Sequence, residues 1–270
     1  MVQLVAEHSQ GGNRRFVVQL DDGARVESVV YRGDTLCVSS QVGCAVACPF
    51  CASGARGFSR NLTLDEMLGQ IDAVQALGVD LSRVTVSGVG EPLHNTALLD
   101  FISLCRARRL GPSVTTTGGP LSRLAALLRS HHNGVTLSIH AGTEAARSKV
   151  VPHGPALEPL FAALEKELPS LSGRRKRRLA LAYLMVAGLN DSEAELAAFS
   201  SRVAPLGIDV HLYDYNPVPT SRFEAVSRQA YEAAYDQLCA AGLRVRMSSK
   251  ARLESNGGCG TLVAQLNSLR

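Results

Sequence analysis

The sequence predicts an α/β fold, an incomplete (β/α)6 barrel preceded by an N-terminal β-hairpin. Strand-like and helix-like segments alternate along most of the 270 residues, and such alternation is typical of a parallel sheet covered by helices. The hydrophobic content of 46% is enough for one large domain. A cysteine-rich loop follows the first barrel strand, at the end where α/β barrels carry their active sites.

Two strand-like runs near the N-terminus, residues 14–20 and 25–31, flank the turn Asp21-Asp22-Gly23. Alternating apolar residues on both sides of such a turn predict a β-hairpin. No repeat and no low-complexity linker forces a boundary inside the remainder of the chain. We therefore expect three regions: a hairpin extension at residues 1–30, a core barrel at residues 31–254 and a C-terminal tail at residues 255–270.

The first strand-helix unit of the predicted barrel combines a strand at about Leu36 to Ser40 with a helix from Thr63 to Gly78. Thr63 and Glu66 form a capping box, apolar residues follow at helical spacing, and Gly78 is a terminator. Five further units follow by the same alternation. Their strands are predicted at residues 83–88, 113–118, 134–140, 178–186 and 209–215, and their helices at residues 96–110, 120–129, 156–168, 192–204 and 227–241.

The loop after the first barrel strand carries three cysteines, Cys44, Cys48 and Cys51, in the spacing C-x3-C-x2-C. A structural zinc site normally completes its tetrahedron with four protein ligands. Three cysteines that hold a four-iron four-sulfur cluster instead leave one iron open for a substrate or a cofactor. The loop therefore predicts a catalytic 4Fe-4S cluster.

An aromatic residue, Phe50, stands between the last two cysteines, where its ring could shield a cluster from water. The alternative interpretation is a zinc site that recruits His140 or His153 as its fourth ligand. We favour the cluster because several other predicted strands also end in residues that could bind a cofactor at the same edge.

The carboxyl ends of the predicted strands converge on one face of a barrel. The second strand ends in GVGEP, where Gly90 lets the backbone approach a ligand and Glu91 can accept an ammonium group. The third ends in three threonines and a glycine, the fourth in Ser138-Ile139-His140, and the sixth in Asn216-Pro217. Each of these alone could be an ordinary strand end. Together with the cysteines they predict a cluster whose open iron chelates S-adenosylmethionine (SAM).

The composition narrows the class of protein. No stretch approaches the roughly 20 apolar residues of a membrane span, and the N-terminus lacks the basic-then-apolar order of a signal peptide, so we expect a cytoplasmic protein. Seven cysteines, an odd number of which three lie in one loop, fit a reducing compartment better than a disulfide scaffold. The net charge of +4 permits a nucleic-acid partner without requiring one.

Several longer motifs stand out along the chain: CVSSQVGC-x3-C-x2-C, GFSRNL, GVGEPLHN, SIHA with the later VVP, YNPVP, and a terminal GGCGTL. Together they resemble the RlmN/Cfr family of radical SAM methyltransferases, from about the hairpin to the last cysteine. The resemblance implies a radical SAM barrel with a 4Fe-4S cluster on Cys44, Cys48 and Cys51. It also implies that SAM contacts Gly90, Glu91, Thr115, Ser138, Ile139, His140 and Asn216, with Thr115 in place of the family's usual serine.

The resemblance also assigns roles to three further residues: Cys259 as the methyl-carrying cysteine, Cys37 as its resolving partner and Glu27 as the proton acceptor. The C2 and C8 carbons of adenine are not nucleophilic, so a radical route is needed. In the family, one SAM methylates the acceptor thiolate, and a second, reductively cleaved, gives the radical that activates this methyl group. The resulting thioether adduct with the base loses a proton and is released when the second thiolate forms a disulfide.

The resemblance thus implies an RNA methyltransferase that acts on the C2 or C8 carbon of an adenine. The expected partners are an rRNA or tRNA substrate, two SAM molecules per turnover, and an external electron donor such as flavodoxin or ferredoxin. We expect no membrane partner, and we expect a monomer.

Two alternatives remain open on sequence grounds. Family members that modify ribosomal RNA usually carry an N-terminal helical accessory domain, which we expect to be absent because the chain starts almost at the hairpin. The alternative enzyme is therefore a radical SAM protein that acts on a peptide or a small molecule. The third hypothesis is a non-catalytic zinc or RNA-binding protein, based on the cysteine loop and a basic run.

The basic run Arg174 to Arg178 precedes the fifth predicted strand, on the barrel face opposite the cysteines. We therefore interpret it as a solvated loop rather than an RNA contact. Arg56 and Arg60, just past the cysteines, are better candidates for contacts with phosphates. Cys105 and Cys239 lie within predicted helices, and we interpret both as small apolar side chains in the packing.

Overall fold

One sheet of ten strands organises the computed structural model, which describes residues 2–248 and 261–263. Its order is β1, β2, β3, β4, β7, β8, β9, β10, β11, β12, and β5 pairs separately with β6. In chain order the strands are β1 (Gln3–Gln10), β2 (Asn13–Gln19), β3 (Arg25–Tyr31), β4 (Thr35–Val38), β5 (Gln41–Gly43), β6 (Phe58–Asn61), β7 (Arg83–Val86), β8 (Gly111–Thr116), β9 (Gly134–Ser138), β10 (Leu179–Met185), β11 (Asp209–Asp214) and β12 (Val245–Met247).

The strands from β4 onward in this order run parallel to one another. Every residue of β10 is buried, as expected of a parallel strand that is covered on both faces. Within the described residues, β12 pairs with β11 and does not close onto β4, so the barrel is incomplete. The predicted α/β fold and its open barrel are confirmed, with the short β12 as an additional parallel strand.

Three antiparallel strands precede the barrel. β2 and β3 form the predicted hairpin, and its turn is closed by hydrogen bonds from the Ala24 amide to Asp22 Oδ1 (3.0 Å) and from the Leu20 amide to the Ala24 carbonyl (2.8 Å). β1 adds an outer edge that the sequence analysis did not predict. β3 also pairs antiparallel with β4, so the extension and the barrel share one sheet, and the predicted boundary at residue 30 falls near the end of β3.

Helices cover the parallel strands, and the six predicted from the sequence are present. The capping box is also present, since the Glu66 amide donates to Thr63 Oγ1 (3.1 Å) and the Thr63 amide donates to Glu66 Oε2 (2.8 Å). Two short helices, α4 and α6, are additional. The helices are α1 (Leu64–Gln75), α2 (Leu98–Ala107), α3 (Leu121–Arg129), α4 (Glu144–Val150), α5 (Leu157–Glu167), α6 (Gly173–Lys176), α7 (Glu193–Val203) and α8 (Arg228–Ala240). Across residues 2–248 and 261–263, no helix has both the length and the apolar character to span a membrane.

The basic run Arg174 to Arg178 is not simply a solvated loop, so that prediction was wrong in part. Its first residues form α6, and two of its arginines bind carbonyl groups at the end of α3. Arg175 donates to the carbonyls of Arg129 and Ser130, and Arg178 donates to the carbonyl of His132 (2.9 Å). Cations stabilise the carbonyl end of a helix, which gives these two residues a structural role.

In the part of the chain that the structure describes, buried apolar side chains form two clusters. The larger one lies between the sheet and the helices and includes Cys105, whose pKa is raised to about 12 by burial. Cys105 therefore packs as predicted, whereas Cys239 is only partly buried. The smaller cluster lies at the carboxyl ends of the strands and holds the cysteine loop in place; it contains Val46, Phe50, Val150, Val151, Leu184, Val186 and Tyr215.

Candidate active site at the carboxyl ends of the strands

A cavity of about 190 Å³ opens at the carboxyl ends of the parallel strands. Ile139 is fully buried and does not line it, and neither does Glu27. Cys259 lies outside the described residues. The other predicted site residues all line this one cavity: Cys37, Cys44, Cys48, Cys51, Gly90, Glu91, Thr115, Ser138, His140 and Asn216.

The cysteine loop is closed at its base by the small β5–β6 sheet. The Cys44 amide donates to the Gly57 carbonyl (3.0 Å), and the Cys51 amide donates to the Cys48 carbonyl (3.0 Å). Phe50 is 8% exposed and meets the His140 ring edge to face, with the ring centroids 5.6 Å apart. Phe50 therefore lies between the cysteine loop and the residue that follows β9, and its shielding of a cluster stays a prediction.

The three thiols suit an iron-sulfur cluster. Burial raises the pKa of Cys44 to about 12 and that of Cys48 well above its usual value, and the neighbouring thiols add to both shifts. Such thiols become thiolates when a bound cation compensates their charge. In the described part of the chain, no three His, Cys, Asp or Glu side chains converge closely enough to hold a single metal ion. Three cysteines suit a cluster, in which each binds a different iron, better than a structural zinc site, which normally has four protein ligands.

The histidines offered for the zinc alternative are poorly placed. His153 is exposed, whereas His140 lines the cavity and its Nδ1 accepts a hydrogen bond from the Leu184 amide (3.0 Å). Burial lowers the pKa of His140 to about 3, with the charge of Arg147 adding to the effect. The ring is therefore neutral and carries its proton on Nε2, where it is a hydrogen-bond donor.

Gly43 is the glycine of this loop at which an added side chain would meet the closest contact. Its φ is +81°, and a Cβ at this position would lie 2.0 Å from the Gly57 carbonyl oxygen. Gly57 is a matched control, because its φ is +80° but a Cβ there meets nothing within 4 Å. We expect Gly43→Ala to lose most of the iron and sulfide measured after anaerobic purification, and Gly57→Ala, which carries the same backbone strain, to keep most of it. Equal iron contents in the two variants would contradict this prediction.

Glu91 joins the ends of β7 and β8. Its carboxylate accepts hydrogen bonds from the Leu93 amide (3.1 Å), the Thr116 hydroxyl, and the amide and hydroxyl of Thr117 (2.8 Å each). Burial raises its pKa, and these hydrogen bonds oppose the shift. A carboxylate has about four acceptor positions, so a ligand ammonium at Glu91 would replace a threonine hydroxyl.

Arg147, in α4, is a site residue that the sequence analysis missed. It is 1% exposed and donates to backbone carbonyls of Thr117 (3.1 Å), Ser138 (2.7 Å), Ile139 (2.7 Å) and Pro155 (3.0 Å). Burial lowers its pKa to about 10, so it remains charged at neutral pH. One guanidinium therefore holds together the chain segments that follow β8 and β9. No side-chain pattern in the sequence indicates this role, because all four partners are backbone carbonyls.

The lining of the cavity also includes Cys37 and part of a short C-terminal segment. Cys37 Sγ lies 3.2 Å from Ser87 Oγ. Leu262 lines the cavity, and its carbonyl accepts a hydrogen bond from the Ser53 hydroxyl (2.9 Å). The next residue, Val263, donates its amide to Glu27 Oε2 (2.8 Å). The segment 261–263 is thus fixed both to the cysteine loop and to β3.

Glu27 is 8% exposed, unlike an ordinary surface glutamate. Burial raises its pKa, while the Val263 amide and the charges of Arg15 and His8 lower it. Arg15 Nη1 lies 3.9 Å from Glu27 Oε2. Because its pKa is raised, the Glu27 carboxylate is a stronger proton acceptor than an ordinary surface glutamate.

Arg60 has a different environment from the one expected of a phosphate contact. Its guanidinium binds Glu66 through two hydrogen bonds of 2.8 Å each and Asp22 through one of 2.9 Å. These ion pairs tie β6 to α1 and to the hairpin turn. Arg56 is exposed, and its contact with phosphate stays a prediction.

Comparisons with known proteins agree with this geometry. A sequence profile described as the radical SAM superfamily matches residues 38–199. A probable RNA methyltransferase of Rhodopirellula baltica is 32% identical over 96% of this chain and 72% of its own length. A dual-specificity RNA methyltransferase RlmN of Solidesulfovibrio magneticus is 31% identical over 98% and 79%, respectively. The crystal structure of a radical SAM methyltransferase from Sphaerobacter thermophilus matches with a TM-score of 0.86 and 28% identity, covering 97% of this chain and 81% of that one.

Proposed function

Because the chain belongs to the RlmN/Cfr family of radical SAM methyltransferases, we propose that it methylates a ring carbon, C2 or C8, of an adenine in RNA. The observation that carries this proposal is that one cavity brings together the three cluster-type cysteines, Cys37 and Leu262. Leu262 belongs to the segment 261–263, which is hydrogen-bonded to Ser53 and to Glu27. The segment begins two residues after Cys259.

The cofactors would be held by residues around the cavity. Cys44, Cys48 and Cys51 would bind one 4Fe-4S cluster, which together with SAM supplies the radical that removes a hydrogen atom from a methyl group. The neutral His140 can donate a hydrogen bond from Nε2. An external flavodoxin or ferredoxin would provide electrons. The groups proposed to hold SAM are Gly90, Glu91, Thr115, Ser138, Ile139, His140 and Asn216.

The protein's own chemistry then involves three residues. The Cys259 thiolate accepts a methyl group from one SAM, which leaves as S-adenosylhomocysteine. After this methyl group has lost one hydrogen atom, its carbon would bond to the adenine ring carbon. The ring would pass its unpaired electron back to the bound cluster, which leaves a thioether between protein and RNA. Glu27 takes the proton from the substituted ring carbon. The Cys37 thiolate attacks the Cys259 sulfur, so that an S–S bond forms and the S–C bond breaks with its electron pair on carbon. Protonation of that carbon completes the new methyl group.

The test of this function is mass spectrometry of the peptide that contains Cys259. Protein made anaerobically with a full supply of iron and sulfide is incubated with SAM, and then with cellular RNA and a reductant. We expect a methyl group on Cys259 that disappears in the second step and is recovered on an adenine in the RNA. An unmethylated Cys259 beside a cluster that cleaves SAM would instead favour a peptide or small-molecule substrate. Cys259→Ala should keep its iron content and lose all transfer to RNA.

A further inference from the structure

One oxygen of Asp214, Oδ1, is buried without a hydrogen-bond partner in the part of the chain that the structure describes. Asp214 ends β11 and lines the active-site cavity together with Asn216 and Ser248. Burial raises the pKa of its carboxyl, and the Tyr215 amide and the charge of Arg228 lower it. A buried acceptor without a donor is unfavourable, so a ligand that supplies a donor here would recover this cost.

The neighbouring protein groups are engaged elsewhere. The Ser248 hydroxyl accepts the Asp214 amide (3.4 Å) and lies 3.3 Å from the Tyr231 hydroxyl. Arg228 is exposed and binds Glu232 at 2.6 Å. Neither group supplies a donor to Asp214 Oδ1.

The other two carboxylates near the cavity are already satisfied. Glu91 accepts hydrogen bonds from Leu93, Thr116 and Thr117, and Glu27 accepts the Val263 amide and lies near Arg15. Asp214 is therefore the carboxylate with unused acceptor capacity among the described residues that line the cavity.

We propose that Asp214 binds the ribose hydroxyls of SAM, an inference that rests on the proposed function. SAM carries hydrogen-bond donors on its amino group, its ribose and its adenine. Glu91 is the proposed partner of the amino group, which would replace a threonine hydroxyl there. The ribose and adenine donors are then left for Asp214. A carboxylate at the end of a parallel strand is well suited to ribose hydroxyls, as in dinucleotide-binding folds. Asp214 lies outside the motif residues assigned to SAM, next to Tyr215 and two positions before Asn216.

A binding cycle tests this assignment. The anaerobic holoenzyme and its Asp214→Ala and Asp214→Asn variants are titrated calorimetrically with 5′-deoxyadenosine and with its analogues that lack the 2′- or the 3′-hydroxyl. We expect the wild type to bind at least one deoxy analogue about tenfold more weakly than the parent, which corresponds to about 1.4 kcal/mol. The Asp214→Ala variant should bind parent and analogues within about twofold, because the partner of the hydroxyl is gone.

Controls separate the possible failures. Methionine, which has no ribose, should bind the variants as it binds the wild type, and this shows that the site is intact. Asp236→Asn removes the same charge from an exposed position on α8. This variant should discriminate between 5′-deoxyadenosine and its deoxy analogues as the wild type does. Equal discrimination by wild type and Asp214→Ala would overturn the inference, as would a coupling to the adenine amino group measured with purine riboside. A wild type that binds neither SAM nor 5′-deoxyadenosine would instead contradict the proposed function.

Discussion

Replacing Glu27 with glutamine is expected to trap the protein on its RNA. In the proposed reaction Glu27 removes the ring proton from the covalent adduct, and an amide of the same shape cannot accept it. General-base catalysis contributes about 10²- to 10⁴-fold, so release should slow by a factor in that range. The measurement is the fraction of protein that carries covalently bound RNA on a denaturing gel after a single turnover.

The control for this variant is Glu7→Gln, which alters another carboxylate of the same three-stranded extension. Glu7 is largely solvent-exposed and paired with Arg14, so its loss should leave the adduct short-lived. If Glu27→Gln released RNA as fast as the wild type, Glu27 would not be the proton acceptor. Retained cleavage of SAM in the same variant would show that the cofactor site is undamaged.

The pH dependence gives the Glu27 prediction a second readout. The ionised carboxylate is the active form, so adduct release should speed up as pH rises through the pKa of Glu27 and then level off. Burial raises that pKa and the charge of Arg15 lowers it. Arg15→Gln should therefore raise the pKa further and move the rise in rate to higher pH. Arg14 is the neighbour of Arg15 on β2 but pairs with Glu7. Arg14→Gln should therefore leave the pH at which the rate rises unchanged.

Much of the fold could be predicted because its signals are local. The capping box at Thr63 and Glu66 determines where α1 begins, and the apolar run of β10 is typical of a strand buried on both faces. β1 was missed although the Gly11-Gly12 turn that joins it to β2 is also a local signal. β12 lacks such a signal. β12 has only three residues and is defined by its pairing with β11, and that partner is distant in sequence.

In the candidate site, too, some features could be predicted from the sequence and others could not. Cys44 and Glu91 could be placed together because loops after parallel strands meet at one edge of a sheet. The surroundings of Arg60 could not be anticipated, since they depend on Asp22 in the hairpin turn. Arg147 was missed because its partners are backbone carbonyls, which every residue has, so nothing in their side chains identifies them.

Arg147 is therefore the residue for which structure adds most to sequence, and its replacement should have a large effect on stability. Arg147→Met keeps the length and the apolar stem but leaves the four carbonyls of Thr117, Ser138, Ile139 and Pro155 without this donor. Each unsatisfied buried group costs about 1 to 3 kcal/mol. Because water can reach some of them, we expect the free energy of unfolding in urea to fall by about 3 kcal/mol. Lys149→Met, an exposed position on the same helix, should change it by less than about 0.5 kcal/mol.

A second variant separates the role of Arg147 in the site from its role in stability. Lysine keeps the positive charge but offers one ammonium group in place of the planar guanidinium. Arg147→Lys should therefore fold better than Arg147→Met and still bind SAM more weakly than the wild type, because Ser138 and Ile139, which follow each other at the end of β9, lose part of their support. Wild-type affinity for SAM in a folded Arg147→Lys protein would mean that Arg147 stabilises the fold without positioning the residues proposed to bind the cofactor.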